Sequence, residues 1–178
     1  MLKFKFVVDQ HIKLIKEVLN NNYNDYMEAF KLIKNCLKKN NAILLCGNGG
    51  SASDLQHFSA ELVGKFKNKY RKNFHCQNLS SNFSSVTAIA NDFGYEDIFS
   101  RQLKALATKK DLVILASTSG KSSNILKAIN YCQTHNIKTI GLFGSHQNEY
   151  TQKCTRSIYI NSTSTARVQE VHYLILHS

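Results

Sequence analysis

His57 and Glu61 stand four residues apart inside "ILLCGNGGSASDLQHFSAELVGKF", Ile43 to Phe66. On a helix that spacing puts both side chains on one face, one turn apart. An imidazole and a carboxylate so placed can hold a metal ion, pass a proton, or simply pair on the surface. Leu55, Phe58, Leu62 and Phe66 repeat beside them at helical spacing, so the pair lies next to the buried seam rather than opposite it. The residues just ahead suit a different guest. Gly47, Gly49 and Gly50 permit unusual backbone angles and close approach of a ligand. Ser51 is placed to cap the following helix, whose free N–H groups and dipole favour an anion such as phosphate. No Gly-Lys-Ser/Thr follows, and there is no GxGxxG with an acidic ribose reader, so a nucleotide is not the favoured ligand. Glycines also make ordinary tight turns, and this segment alone leaves both readings open.

A second stretch has the same plan. "LVILASTSGKSSN" runs from an apolar strand through small residues into a helix, with Ser117, Thr118, Ser119 and Ser122 offering four hydroxyls around Gly120. Hydroxyls and backbone N–H groups together suit a phosphate ester, whose oxygens accept many hydrogen bonds. Helix capping by Ser122 is the plainer alternative. Two such loops at the carboxyl ends of parallel strands favour a ligand, because open α/β sheets bind at that rim.

The elements that must position these loops are legible as hydrophobic pattern. "AILLC" (42–46), "LVILA" (112–116) and "TIGLF" (139–143) are short and wholly apolar, as strands buried on both faces should be. "FHCQNLS" and "SIYI" read as weaker strands nearer an edge. Helical patterns fall between them at 51–66, about 84–90, about 96–108, 122–135 and about 165–177. Two further helices over about 5–39, with "NNNYND" as the loop between them, precede the first strand. Alternating strands and helices predict right-handed crossovers and a mostly parallel five-stranded sheet covered on both faces, an α/β three-layer sandwich. The expected organisation is a single domain over 1–178, with a helical hairpin at 1–40 ahead of an α/β core at 41–178.

Composition narrows the class. The 178 residues are 43% hydrophobic, which predicts a folded chain, and no apolar run has membrane length. The formal charge is +11, but the lysines are scattered over the helical segments and no nucleic-acid motif is visible. Compositional drift is preferred to nucleic-acid binding, with attraction for anionic small molecules as a by-product. Five widely spaced cysteines without a CxxC suggest neither a thiolate zinc site nor a redox pair. Cys46 and Cys132 fall in apolar patterns and read as small core residues. A cytoplasmic protein is expected.

At this point the motifs "CGNGGSASDLQHFSAEL", "ANDFGYEDIFSRQ", "STSGKSSN" and "TARVQEVH" are together on the page. In order and spacing they resemble the sugar isomerase (SIS) domain family, whose fold is flavodoxin-like. More narrowly they resemble the phosphoheptose isomerases, which interconvert sedoheptulose 7-phosphate and D-glycero-D-manno-heptose 7-phosphate. The resemblance runs from about residue 42 to 177. The serine loop alone would indicate only a SIS domain; the His57/Glu61 pair with the carboxyl-terminal Gln/His motif narrows the match.

The resemblance implies an enediolate proton transfer, in heptose synthesis for a bacterial lipopolysaccharide or capsule. It implies one zinc ion per subunit, held by His57, Glu61, Gln169 and His177, with Glu61 also the catalytic base and His177 the second catalytic residue, a general acid. Asn48, Gly49 and Gly50, with Ser51, would form part of the substrate cradle. Asn91, Asp92, Glu61 and Gln169 would contact substrate, and Ser117, Thr118, Ser119 and Ser122 would grip its phosphate. A homotetramer is implied as well. Gln169 and His177 are eight residues apart, about 12 Å along a helix, so they reach one metal only by converging or by coming from different subunits. His172, three residues after Gln169, is expected to be an ordinary packed histidine.

The chain departs from the pattern in places. Lys65 stands where the family usually has arginine, keeping the charge and losing the bidentate fork. "NSTSTAR" lacks the acidic residues often seen before the last motif. Relatives usually continue the last helix for several turns beyond the position of Ser178, so a truncated chain or a disordered tail is expected there. Two other function classes compete. One is a non-catalytic SIS protein that binds a sugar phosphate or docks on a replication initiator protein; retention of Glu61 and His177 argues against it. The other is nucleic-acid binding, prompted by charge alone.

Overall fold

The computed structural model describes residues 2–68 and 70–178. Strands β1 (Ile43–Gly47) and β3 (Leu112–Ser117) are buried at every position, and β4 (Lys138–Phe143) at every position but Lys138. Side chains on both faces of these strands meet helices, which is why their sequences are continuous apolar runs rather than alternating ones. The edges are β2 (Cys76–Asn78) and β5 (Arg156–Tyr159), the two weaker candidates. The order is β2-β1-β3-β4-β5, and every pairing is parallel. The sheet is thus wholly parallel, in the flavodoxin-like order.

Among the described residues, seven α-helices cover it. α1 (Leu2–Asn21), α2 (Tyr23–Lys38), α3 (Gly49–Val63) and α7 (Thr165–His177) lie on one face. There Leu14, Ala29, Cys36, Leu55, Phe58, Val168 and Val171 pack with Ile43, Leu45, Ile114 and Leu142 in one cluster. α4 (Phe83–Phe93), α5 (Ile98–Leu106) and α6 (Ser123–Thr134) lie on the other, where Phe99, Leu103, Ile125 and Ile129 pack with Leu44, Cys46, Val113 and Leu115. The amino-terminal helices therefore share a core with the sheet. Replacing Leu55, which is fully buried, by alanine costs about 2–5 kcal/mol in such a setting. Cys46 and Cys132 are completely buried, as small core residues.

Two local expectations are corrected. The "NNNYND" stretch is not a loop: α1 runs to Asn21, and only Asn22 interrupts it before α2 begins at Tyr23. Helix α3 begins at Gly49 with Asn48 as its cap residue, so Ser51 does not cap it. Ser51 instead lies buried in the first turn. Backbone freedom at Gly49, φ +51°, lets the helix start three residues earlier than a Ser51 cap would.

His172 is the packed histidine that was expected. It is 1% exposed, and its Nε2–H donates to the carbonyl oxygen of Phe143 at 3.3 Å, at the end of β4. Burial pushes its pKa down to about 4. The unfolded chain then binds the proton more readily than the folded one below the ordinary histidine value. Its contribution to stability is level above about pH 6.5 and declines by at most about 3 kcal/mol as the pH falls from about 6.5 towards 4. Thermal melts across that range should show a shallower acid loss for His172→Gln than for the unsubstituted protein.

Candidate active site

The strand order reverses direction between β1 and β3. Gly47 pairs with Ala116 at the carboxyl end of the pair. From there α3 leaves for one face of the sheet and α6 for the other, which opens a crevice above the two strand ends. At Gly47 an added Cβ would lie 3.0 Å from Leu55 Cδ1 and from the backbone of Ser51, so the chain turns back too tightly for a side chain. The loop after β3 forms the other wall. Ser117 Oγ lies 3.1 Å from Ser122 Oγ and 3.4 Å from Ser119 Oγ. Ser122 occupies the cap position of α6, yet its hydroxyl makes no cap hydrogen bond. It turns towards Ser117 instead, so the capping alternative does not account for the serine cluster. Gly120 holds φ +64°, and its carbonyl accepts from Asn148 Nδ2 at 2.8 Å. Thr118 is half-buried and Ser119 exposed. The first N–H groups of α6 lack intrahelical acceptors, and with these hydroxyls they make a cluster of donors chemically suited to an anion.

The chemistry-bearing cluster is built between α3 and α7, which run side by side. His57 Nε2 lies 3.5 Å from Glu61 Oε1, and His177 Nε2 lies 3.6 Å from Glu61 Oε2. Ligand atoms of all three lie within 4.8 Å of one another. The His177 Nδ1–H donates to the Tyr173 carbonyl at 2.8 Å, which leaves Nε2 as the lone-pair atom facing Glu61. Three acceptor-bearing groups thus converge on one point, an arrangement that calls for a proton or a cation. The edge of a tetrahedron with metal–ligand bonds of about 2.0–2.1 Å is about 3.4 Å; the two His–Glu61 spacings are of that order, while the three ligand atoms as a set lie within 4.8 Å.

Gln169 meets α3 two turns earlier than His177 does. Its Nε2 donates to Asp54 Oδ1 at 3.3 Å, and its amide packs so closely on Gly50 that a Cβ there would collide with it. The eight-residue spacing of Gln169 and His177 is matched by the seven from Asp54 to Glu61 on α3. With Nε2 engaged, Oε1 is the atom left for a ligand. An open groove of about 800 Å³ reaches Asp54, Gln169 and His177 from the side of α1, and an apolar pocket of about 220 Å³ reaches Glu61 and His177 from the side of α2.

Two contributors escaped sequence reasoning. Asp54 lies three residues before His57 on the same helix face, with Oδ2 buried and unpartnered. Burial raises its carboxyl above the ordinary range, opposed by the Gln169 hydrogen bond and by His177 and His57 nearby. Its i, i+3 relation to His57 was the available signal. Arg71 donates to the carbonyls of Glu61 and Leu62, closing the carboxyl end of α3; only the three-dimensional return of the loop places it there. Among the other candidates, Asn91 and Asp92 are exposed near the end of α4, bonded to each other at 2.8 Å. Lys65 is exposed just beyond α3.

The chain matches the SIS domain family over residues 8–144. It is 45% identical over 148 residues to phosphoheptose isomerase 1 of Campylobacter jejuni subsp. jejuni, covering 83% of this chain and 79% of that protein. It is 42% identical to the phosphoheptose isomerase of Helicobacter pylori strain Shi470, over 99% of this chain and 91% of that one. The solved phosphoheptose isomerase of Neisseria gonorrhoeae superposes with a TM-score of 0.88 at 30% identity, covering 99% of this chain and 95% of that one. With the strand order, the hydroxyl loop and the His/Glu cluster already in place, these likenesses lead to one assignment: the chain belongs to the SIS domain family and, within it, to the phosphoheptose isomerases.

Proposed function

We propose that this chain interconverts sedoheptulose 7-phosphate and D-glycero-D-manno-heptose 7-phosphate, supplying heptose for a bacterial lipopolysaccharide or capsule. The observation that carries the reading is the convergence of Glu61 with His57 and His177, in a chain that also presents the hydroxyl loop at the carboxyl end of β3. Ketose–aldose isomerisation removes a proton from carbon next to a carbonyl and returns one to the neighbouring carbon. Glu61 takes and returns that proton. His177, whose Nδ1–H is committed to Tyr173, uses Nε2 to exchange protons with the substrate oxygens. Ser117, Thr118, Ser119 and Ser122, with the amino end of α6, hold the phosphate and bring the reacting carbons into register. Asn48, Gly49, Gly50 and Ser51 line the opposite wall, and Asn91 and Asp92 contact the sugar hydroxyls.

His57, Glu61, Gln169 and His177 would hold one zinc ion per subunit. Such an ion would supply Lewis acidity for negative charge developing on the substrate oxygens. A positive ion beside Glu61 would lower its basicity, and His177 has only Nε2 free, so for both residues the roles as ligand and in proton transfer compete. Phe4, Phe6, Leu19, Tyr23, Phe30 and Leu174 are large exposed apolar side chains on α1, α2 and α7. Such a surface supports a homotetramer that covers it. The reading places the protein in the cytoplasm, where sugar phosphates are made.

Zinc-loaded protein should convert sedoheptulose 7-phosphate, and Glu61→Gln should lower kcat by about 10²–10⁴-fold, the usual worth of a general base. A zinc-loaded wild type without turnover, or a Glu61→Gln variant as active as wild type, would refute the assignment. Dialysis against a chelator should abolish turnover and added zinc should restore it. His57→Ala should weaken zinc retention, measured by elemental analysis, by more than about 10-fold. Equal retention would remove His57 from the ligand set.

A further inference from the structure

The hydroxyl loop after β3 is held from outside. Gly120, buried at its turn, has a left-handed backbone, φ +64°, which glycine adopts freely and leaves as freely. Its N–H donates back to the Ser117 carbonyl at 3.2 Å, so the turn between Ser117 and Ser122 pivots on this residue. The Gly120 carbonyl accepts from Asn148 Nδ2 at 2.8 Å. Asn148 belongs to the loop after β4, and the two loops also meet backbone to backbone. A Cβ added at Gly120 would lie 2.7 Å from the His146 carbonyl oxygen, and one added at Gly144 would collide with the Thr118 carbonyl.

Asn148 is itself fixed by a closed set of hydrogen bonds. Its Oδ1 accepts from the Tyr150 and Thr151 N–H groups at 3.0 and 2.9 Å. Its own N–H donates to Thr151 Oγ1 at 3.0 Å, and the Thr151 hydroxyl donates back to the Asn148 carbonyl at 3.1 Å. Thr151 is fully buried, and its oxygen also accepts from the Tyr159 hydroxyl of β5 at 3.1 Å. The hydroxyl thus has its donor and both acceptor sites filled. Turning the Asn148 amide over would set its NH2 against two N–H groups and its oxygen against a carbonyl. Three hydrogen bonds therefore aim Nδ2 at Gly120.

We propose that Asn148 is the positioning residue of the phosphate grip. By clamping Gly120 it holds the hydroxyls of Ser117, Thr118, Ser119 and Ser122 in the arrangement that receives a phosphate monoester. A loop held in advance loses little freedom when its ligand arrives, which strengthens binding. The inference rests on the phosphate site of the isomerase reading above and deepens it. Asn148 acts through the loop and need not touch the substrate.

The test compares zinc-loaded wild type with Asn148→Ser, Asn148→Asp and Tyr159→Phe. It reads the dissociation constant of inorganic phosphate by calorimetry, kcat and KM for sedoheptulose 7-phosphate, amide hydrogen exchange over residues 118–122, and thermal stability. Asn148→Ser keeps an acceptor for its own turn but is too short to donate to Gly120. It should weaken phosphate binding about 3–10-fold, raise KM by a similar factor, leave kcat within about 2-fold and speed exchange over 118–122. Asn148→Asp keeps both acceptor contacts and lacks only the donor. In about 0.5 M salt, which screens its charge, it should show the same loss even if serine fails to hold the turn. Tyr159→Phe loosens the anchor of the turn without touching the contact to Gly120. It should lower thermal stability while phosphate binding stays within about 2-fold.

The inference is overturned if either folded Asn148 variant binds phosphate as wild type does, or if kcat falls while KM and phosphate binding hold. It is equally overturned if Tyr159→Phe weakens phosphate binding as much as they do, the sign of a merely structural turn, or if wild type binds no phosphate. A wild type that binds phosphate but leaves sedoheptulose 7-phosphate unchanged overturns the isomerase reading alone. Phosphate binding and hydrogen exchange then still decide the role of Asn148.

Discussion

The lateral pairing of β1 with β3 is the constraint on which the rest depends. Their register sets Gly47 beside Ala116, and the two helices that follow leave for opposite faces of the sheet. A crevice at that point follows from topology and needs no special residue to open it. The glycines and serines are then what the crevice demands. The backbone must turn sharply at Gly47, and the loop after β3 must present hydroxyls without bulk. The burial of both strands on both faces makes this frame stiff, so loops that carry chemistry rest on the least yielding part of the molecule.

The second dependence is the side-by-side run of α3 and α7. Leu55 and Phe58 on α3 and Val168 and Val171 on α7 pack into the same core, which fixes the helices relative to each other. That packing sets His57, Glu61 and His177 within reach of one point. It also sets two imidazoles on one carboxylate, a group of atoms that can share a proton or hold a cation. Functional geometry here draws on the stability of the core beneath it. The same helix pair places Asp54 under Gln169, fixing which end of that amide remains for a ligand.

Much of this was legible from the sequence, for identifiable reasons. The three central strands are buried on both sides, so their pattern is continuous and short, and the two edge strands read weaker because they are weaker. The His57/Glu61 pair was legible because both lie on one helix. Local signals misled where tertiary packing overrode them. Three asparagines in "NNNYND" argue for a loop, yet packing against the sheet and α7 carries helix up to Asn21 and resumes it at Tyr23. Ser51 has the chemistry of a cap, but glycine freedom at Gly49 starts the helix sooner. What the sequence could not reveal are pairings between distant elements: Asp54 with Gln169, Arg71 with the end of α3, and Asn148 with Gly120. Each depends on how two helices or loops meet, and no spacing along the chain encodes that meeting.

The central claim is that the serine loop grips phosphate and that the His57/Glu61/His177 cluster holds a metal ion for proton transfer. A crystal structure of the zinc-loaded protein with sedoheptulose 7-phosphate, using anomalous scattering at the zinc edge, tests it most directly. The account predicts zinc held by His57, Glu61, Gln169 and His177, and phosphate oxygens on Ser117–Ser122. Zinc bound elsewhere, or a phosphate seated away from the serine loop, would contradict it.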